Sequence, residues 1–519
     1  MSEGKRTRGL AASFLGTGEG SSDHMTILSG TGQNIVGLGV FVVASFAMNI
    51  LLARAFGKGS AAFGQVTLAT QLAFVVGAAT RFGMDMAAVR RVAIEVGKGE
   101  GARSRAIVRI AVRITLAMSI AAAALGFLFA GPIARFVKAP SDAYRAAAVA
   151  LVFVALAQVY LGGSRGLKIM VHTLYAYWIG QSLSWIALTL AAWAMFGKTV
   201  PVTVEAYATS WVFATGVAWF FWRKESGKLG EERAAESHEA RSLLKYGAPR
   251  APAALLSQAL FYTDLFVLSH YLHANDPALS VYAAAVRVAQ ALVLFLTAVS
   301  YMFSPFVADL HERGERERLN GLFKSITRWT LAGTVPLLLL FLIAPGPVLK
   351  VFGSNYASGT NWLRILLIGQ IVNVSVGAAG FVLIIVGRTT WDLLVYASSF
   401  ALDLTLAILL VPHFGPKGAA IAQAATLVFS NAFRLALVWR FVRIQPYNRH
   451  YAKLLVPAAI GAAAMLGVHA FLSGPKWGLD LFGTGVVGGL VYYSAFLLLG
   501  LTPVEKAAVM RIARRRRST

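Results

Sequence analysis

A chain of 519 residues that is 57% hydrophobic and only 14% charged carries too few charges to clothe soluble domains of that size, in which about a quarter of residues are charged. Composition therefore excludes a string of water-soluble domains and points to a membrane-embedded body. The net charge of +25 gathers in short connections between apolar segments, which is the pattern of membrane topology rather than of a nucleic-acid partner.

The first stretch, "MSEGKRTRGLAASFLGTGEGSSDHM", is polar and Gly/Ser-rich and lacks the apolar core of a signal peptide. Residues 1–30 are expected to form a disordered cytoplasmic tail. Apolar runs near 20 residues then mark about fourteen candidate transmembrane helices. The expected spans are 33–54, 65–86, 107–130, 146–163, 173–195, 201–222, 249–271, 279–306, 328–348, 363–386, 392–411, 417–440, 453–472 and 482–501. Each must be helical, because a lipid-embedded segment has to satisfy its own backbone hydrogen bonds. The alternating pattern of a membrane β-barrel is absent. The fold class is thus an all-α polytopic membrane protein.

Loop lysines and arginines concentrate on alternate connections, such as "RRVAIEVGKGEGARSR", "HERGERERLNGLFKSITR" and the tail "RIARRRRST". The positive-inside bias makes that side cytoplasmic, with both termini inside. The long charged linker 223–248 separates six spans from eight. This suggests an N-terminal lobe at 31–242, a C-terminal lobe at 243–445 and a terminal helix pair with a basic tail at 446–519. An even number of spans per lobe gives a parallel repeat about an axis normal to the membrane. No connection is long enough to hold a soluble catalytic domain, so any activity lies between the helices or at the lipid interface.

Ionisable groups within spans cost about 2.5–3.5 kcal/mol each on insertion scales and usually face a partner or a water-filled cavity. Asp264 and Arg287 each lie about eight residues from the outer end of adjacent antiparallel spans, about 12 Å deep at 1.5 Å per residue. They could meet as an ion pair, either a structural register between two helices or a group that handles an anionic substrate. Arg81, Arg113, Arg250 and Arg434 lie nearer the inner ends. Snorkelling to headgroups explains any one of them, whereas together they would make an inter-lobe cavity cationic and suited to a diphosphate. Asp403 is near the middle of its span and is, with Asp264, a candidate for ion coupling. Glu205, a third such candidate, is close to the outer interface.

Pro249, Pro252, Pro336 and the "GAAG" at 377–380 interrupt apolar runs, and such residues either bend helices or let them pack closely. There is no nucleotide-binding G-x-x-x-x-G-K-[ST] loop and no metal-ligand pattern. The absence of cysteine excludes disulfides and thiolate chemistry. No cofactor is implied.

Several stretches, taken together in order and spacing, carry a family resemblance. They are "LLARAFGKGSAAFGQVTLATQL" (51–72), "LLKYGAPRAPAALLSQALFYTDLFVLSHYL" (243–272) with its acidic position at Asp264, and "VYAAAVRVAQALVLFLTAVSYMFSPFVADLHERGERERL" (281–319). "VFGSNYASGTNWLRIL" (351–366), "IIVGRTTWDLL" (384–394) and "LLVPHFGPKGAAIAQA" (409–424) complete the set. The chain resembles the polysaccharide-lipid flippases of the multidrug/oligosaccharidyl-lipid/polysaccharide (MOP) exporter superfamily. The resemblance implies a two-lobed, alternating-access exporter that moves isoprenoid-diphosphate-linked oligosaccharide from the inner to the outer leaflet of a bacterial cytoplasmic membrane, for surface polysaccharide biosynthesis. Its partners would be that lipid, membrane lipids and polysaccharide polymerase or assembly proteins. One departure is Asp403, where the resemblance leads one to expect a neutral amide. It sets a carboxylate against a purely cationic cavity.

Three other functions are weighed. An ion-coupled exporter of small cationic or amphipathic molecules, of multidrug type, would need an acidic cavity, whereas the intramembrane arginines outnumber the acids. A membrane polymerase or ligase needs an outer loop able to cover a glycan, and the outer loops are short. A scaffold in a polysaccharide assembly would use a docking element such as the basic run Arg514 to Arg517, which anionic lipid also explains.

Overall fold

The computed structural model describes residues 23–57, 59–231, 233–234, 238–248, 250–312, 314–377, 379–386, 388–474 and 476–501. Side chains are described for all of these except 23–38, 97, 250, 294, 297–309, 312, 381, 384, 385 and 389. Among the described residues every regular element is helical. Nine helices are long and apolar enough to cross a membrane, or ten when one bent pair counts as a single span. Each expected span falls on a helix or on a helix broken in two, so the chain is an all-α multi-pass membrane protein.

The first group of helices comprises α1 (Asp23–Ala55), α2 (Ala62–Thr80), α3 (Met84–Gly97), α4 (Ser104–Leu128), the short α5 (Ala130–Val137), α6 (Ser141–Gly166), α7 (Val171–Phe196) and α8 (Val200–Gly227). The first begins ten residues ahead of the expected span. α6 is the axis of this lobe: it packs against α2, α3, α4 and α8. Its small residues Ala143, Ala147, Ala150, Ala155 and Gly162 are buried, which lets neighbouring backbones approach closely where lipid supplies no hydrophobic drive. α7 contains a π-helical turn at Leu174–Gln181, a local widening that re-aims the side chains it carries.

A linker helix, α9 (Glu239–Gly247), leads into α10 (Arg250–Ala259) and α11 (Thr263–Tyr271). The second lobe continues with α12 (Ala278–Glu312), α13 (Arg316–Ile343), α14 (Pro345–Lys350), α15 (Thr360–Val376), α16 (Ala379–Ile385), α17 (Thr389–Phe414) and α18 (Pro416–Phe441). α15 ends at Gly377 with φ +67, a left-handed position that glycine adopts without penalty. The break expected near 377–380 is therefore real. Pro336 behaves otherwise, because α13 runs on through it. A proline deprives the carbonyl four residues back of its donor. That carbonyl, Ala332, accepts instead from the Tyr492 hydroxyl at 2.9 Å.

Tyr492 belongs to the terminal pair α19 (Leu455–Leu472) and α20 (Trp477–Ala495). The pair packs on α13, and an Arg328 hydrogen bond to the Gly500 carbonyl adds a second tie. The proline thus supplies an acceptor for docking two further helices. The two lobes meet along α1 and α2 on one side and α10 to α12 on the other.

Candidate functional site

The segment from α10 to α12 builds the centre of the molecule. α10 and α11 are separated by Leu260 to Tyr262, and the helices on either side of this break are bent by 53°. Tyr262 has φ −137 and ψ −4, outside helical values, and so swings its ring out of the helix line toward α12. There the Arg287 guanidinium donates to the Tyr262 hydroxyl at 3.2 Å. Its central carbon lies 5.6 Å from the centre of the Tyr262 ring, within cation–π reach. The Arg287 Nε–H has no hydrogen-bond partner.

Arg287 lines a cavity of about 260 Å³ between the lobes. α12 contributes Arg287, Gln290 and Ala291, and the helix break contributes Tyr262. The opposite wall comes from the first lobe: Asn49 of α1, Gln71 of α2, Gln181 and Trp185 of α7, and Tyr207 and Trp211 of α8. Among the described lining residues Arg287 is the one charged group. The cavity therefore offers a guanidinium among amides and rings, and no carboxylate. Such a surface receives an anion that also has neutral polar groups.

Two residues beyond Tyr262 the chemistry reverses. Asp264 is fully buried and accepts hydrogen bonds from the Tyr282 hydroxyl and from the backbone at Asp264 and Leu265. Tyr282 and Arg287 are five residues apart on α12, about 140° around the helix. The two therefore face different ways, and Asp264 and Arg287 do not form an ion pair. Asp403 of α17, also fully buried, lies close enough to Asp264 for their charges to interact. The Thr426 hydroxyl beside Asp403 is hydrogen-bonded to its carboxyl group. The second lobe thus brings two carboxylates together without a cation, apart from the cavity wall.

The remaining candidates stand elsewhere. Arg81 is paired with Asp85 at 3.4 Å in the turn between α2 and α3. Arg113 is exposed on α4 and Glu205 is exposed near the start of α8. Arg434 stacks 4.7 Å from the centre of the Tyr396 ring inside the second lobe. The side chain of Arg250 lies outside the described residues, as do Pro249 and the basic run Arg514 to Arg517. Of the arginines proposed from sequence, the described cavity holds Arg287. Its neutral wall was missed because charge was the search criterion; the mid-span amides Asn49, Gln71, Gln181 and Gln290 were the available signal, since buried amides in lipid-embedded helices also need partners.

At the end of the bundle predicted to face outward, the lobes are joined. Gly64 N donates to the Ser280 hydroxyl at 3.0 Å, and that hydroxyl donates to the Ser60 carbonyl at 2.8 Å. A Cβ on Gly64 would stand 2.6 Å from a Leu279 side-chain carbon and 2.9 Å from its backbone, so only glycine fits. Across the seam between α5 and α11, His270 and Phe136 stack at 4.2 Å, and Lys138 donates to the Leu272 carbonyl. Arg54 reaches the Val351 carbonyl at 2.8 Å. At the opposite end, Arg91 grips Glu239 of the linker helix through two hydrogen bonds of 2.7 and 2.5 Å. Gly247 lets that helix sit on the Phe82 carbonyl, which a Cβ would approach to 2.1 Å. The linker helix is therefore built into the first lobe.

A family model described as "Polysaccharide biosynthesis protein" matches residues 27–311. A probable low-salt glycan biosynthesis flippase, Agl15 of Haloferax volcanii, is 23% identical over 283 residues, covering 53% of this chain and 57% of that protein. The chain spans about half the length of the curated relatives it matches. Among solved structures, the lipid II flippase MurJ in an inward closed conformation superposes with a TM-score of 0.67 at 14% identity, covering 91% of this chain and 98% of that one. An inward-facing multidrug resistance MATE family transporter of the MOP superfamily gives 0.63 at 13% identity, covering 78% and 94%. These likenesses show the fold.

Proposed function

This chain belongs to the polysaccharide biosynthesis protein family, and on that premise we propose that it is a transporter, not an enzyme, that flips isoprenoid-diphosphate-linked oligosaccharide across the bacterial cytoplasmic membrane. The observation that carries the reading is the inter-lobe cavity with Arg287 as its one described charge. Moving such a lipid requires keeping its phosphate and glycan out of hydrocarbon while the tail stays in lipid. A cleft with a guanidinium, amides and rings between two lobes does this. The name of the relative, a probable glycan biosynthesis flippase, supports flipping in glycan biosynthesis.

The seam joining the lobes at the predicted outer end corresponds to a state in which the cavity does not open outward. Substrate would then enter from the cytoplasmic leaflet and leave once the seam parts, as alternating access requires. The lobe limits 31–242 and 243–445, and a cytoplasmic location for both termini, belong to this reading. With no nucleotide-binding motif in the sequence, Asp264 and Asp403 are the groups proposed to carry a coupling cation, because two neighbouring buried carboxyl groups are stabilised by one. Glu205, exposed near the start of α8, stands apart from them.

The multidrug alternative shares the fold, but a cation-exporting cavity would present carboxylates, and the described lining presents an arginine. The test is liposome flipping of labelled undecaprenyl-diphosphate oligosaccharide by the purified chain. Wild type should deliver label to the far leaflet, and Arg287→Ala should not, at equal folded amounts. Transport of a small organic cation with no movement of lipid would replace this reading with the multidrug one.

A further inference from the structure

The cavity is chemically two-sided. Opposite Arg287, a run of rings covers the first-lobe wall: Trp185 meets Tyr207 edge-on at 4.9 Å, Tyr207 meets Trp211 at 6.2 Å, and Trp211 meets Tyr177 at 5.8 Å. All four line the cavity. The indole N–H of Trp185 and the side-chain amide nitrogen of Gln290 have no hydrogen-bond partner, while the Trp211 indole is hydrogen-bonded to Tyr207 beside it. An unsatisfied buried donor such as the Trp185 N–H carries a real cost, about 1–3 kcal/mol.

A neighbouring groove shows what the chain does where only hydrocarbon is to be met. Its walls are aliphatic side chains and phenylalanines, among them Ile50, Leu340, Phe352 and Phe482, with no hydrogen-bonding side chain among the described lining residues. The central cavity uses tyrosine and tryptophan rings with polar rims, and neutral amides, instead. Rings present an apolar face with a polar rim, and planar amides and indoles bond oxygens that lie around an edge. A pyranose has the complementary form, with apolar C–H faces and a belt of oxygen acceptors.

We infer that this wall is a sugar platform that selects the residue joined directly to the phosphate, an uncharged pyranose bearing hydroxyl or acylamino oxygens. The inference rests on the flippase reading above, with the phosphate at Arg287. The rings take the C–H face of the sugar. The Trp185 indole and Gln290 N–H groups turn to its oxygens, and the phosphate stays with the guanidinium across the cavity. The carrier lipid without its sugar then fills half the site, so the transporter discriminates loaded carrier from empty carrier.

The test uses the full-length chain in nanodiscs with two radiolabelled probes, undecaprenyl diphosphate and undecaprenyl-diphosphate-linked N-acetylglucosamine. Wild type should bind the sugar-bearing probe about tenfold more tightly, the equivalent of one or two neutral hydrogen bonds. Trp185→Phe, which keeps a ring and loses an N–H, and Trp185→Leu, which loses the ring as well, should each remove about fivefold or more of that preference. Affinity for the sugarless probe should stay constant, which also shows that the variants fold. Arg287→Ala should weaken both probes by the same factor. Equal binding of the two probes by wild type overturns the platform and leaves the flippase reading standing. Parallel loss of both probes in Trp185→Leu does the same. Failure of wild type to bind either probe overturns both readings.

Discussion

Two buried polar centres lie within a few residues of each other in the second lobe, and they are built on opposite principles. At Tyr262 and Arg287 a cation is held by a neutral ring and hydroxyl beside a cavity. At Asp264, Tyr282 and Asp403 two carboxyl groups share a buried site with hydroxyl donors. The first centre has a charge waiting for a ligand large enough to fill the cavity. The second has its carboxyl groups buried among hydroxyl and backbone donors, away from the cavity. The break at Leu260 to Tyr262 is what separates them. It lets one short stretch of chain place Tyr262 toward the cavity and Asp264 away from it, so the two sites are mechanically joined yet electrostatically distinct.

That contrast can be broken most severely at Arg287. Replacement by alanine removes the proposed charge-assisted contact to a substrate anion and should lower flipping about 10- to 100-fold, as expected for about 1.5–3 kcal/mol. Arg287→Lys should restore part of it, since an ammonium keeps the charge and loses the planar fork; scramblase-type liposome assays read both. The next largest effect is expected at Asp403. Asp403→Asn should abolish any stabilisation by a coupling cation, read as thermal melting of purified protein with and without a sodium or proton gradient species, and should slow gradient-driven flipping about tenfold. Unchanged cation dependence in that variant would remove the acidic pair from the mechanism.

Tyr282→Phe sharpens the comparison, because it strips Asp264 of its hydroxyl donor without touching the cavity. Stability should fall by about 1–3 kcal/mol, the cost of an unsatisfied buried group, seen as a lowered melting temperature, with binding of the diphosphate lipid unchanged. Smallest is Tyr262→Phe, which keeps the ring beneath Arg287 and removes one hydrogen bond worth about 1 kcal/mol. Lipid affinity should drop about fivefold or less, with stability unaltered.

Hydropathy made the spans legible, because lipid forces every long apolar run into a helix. It could not make the break at Leu260 to Tyr262 legible: "LFYTD" holds neither proline nor glycine, and the bend comes from tertiary packing. The reverse case is Pro336, a helix breaker by rule that tertiary contact with Tyr492 makes harmless. Asp264 and Arg287 were recognisable as costly residues, but depth alone suggested they would meet. Facing is decided by angle around α12, and the five-residue offset between Tyr282 and Arg287 separates them. The arginines at 81 and 434 show the same limit: charge and depth are written in the sequence, and the neighbour that neutralises each side chain is not.

The seam at Gly64 has a consequence of its own. Because the lobes touch there through a missing side chain and two hydroxyl-mediated bonds, the contact favours one member of a pair of conformers without adding to the interior of either lobe. Adding a methyl at position 64 would then act as a thermodynamic weight. It would leave each lobe intact and shift occupancy toward the outward-open form, tenfold for each 1.4 kcal/mol or so of clash.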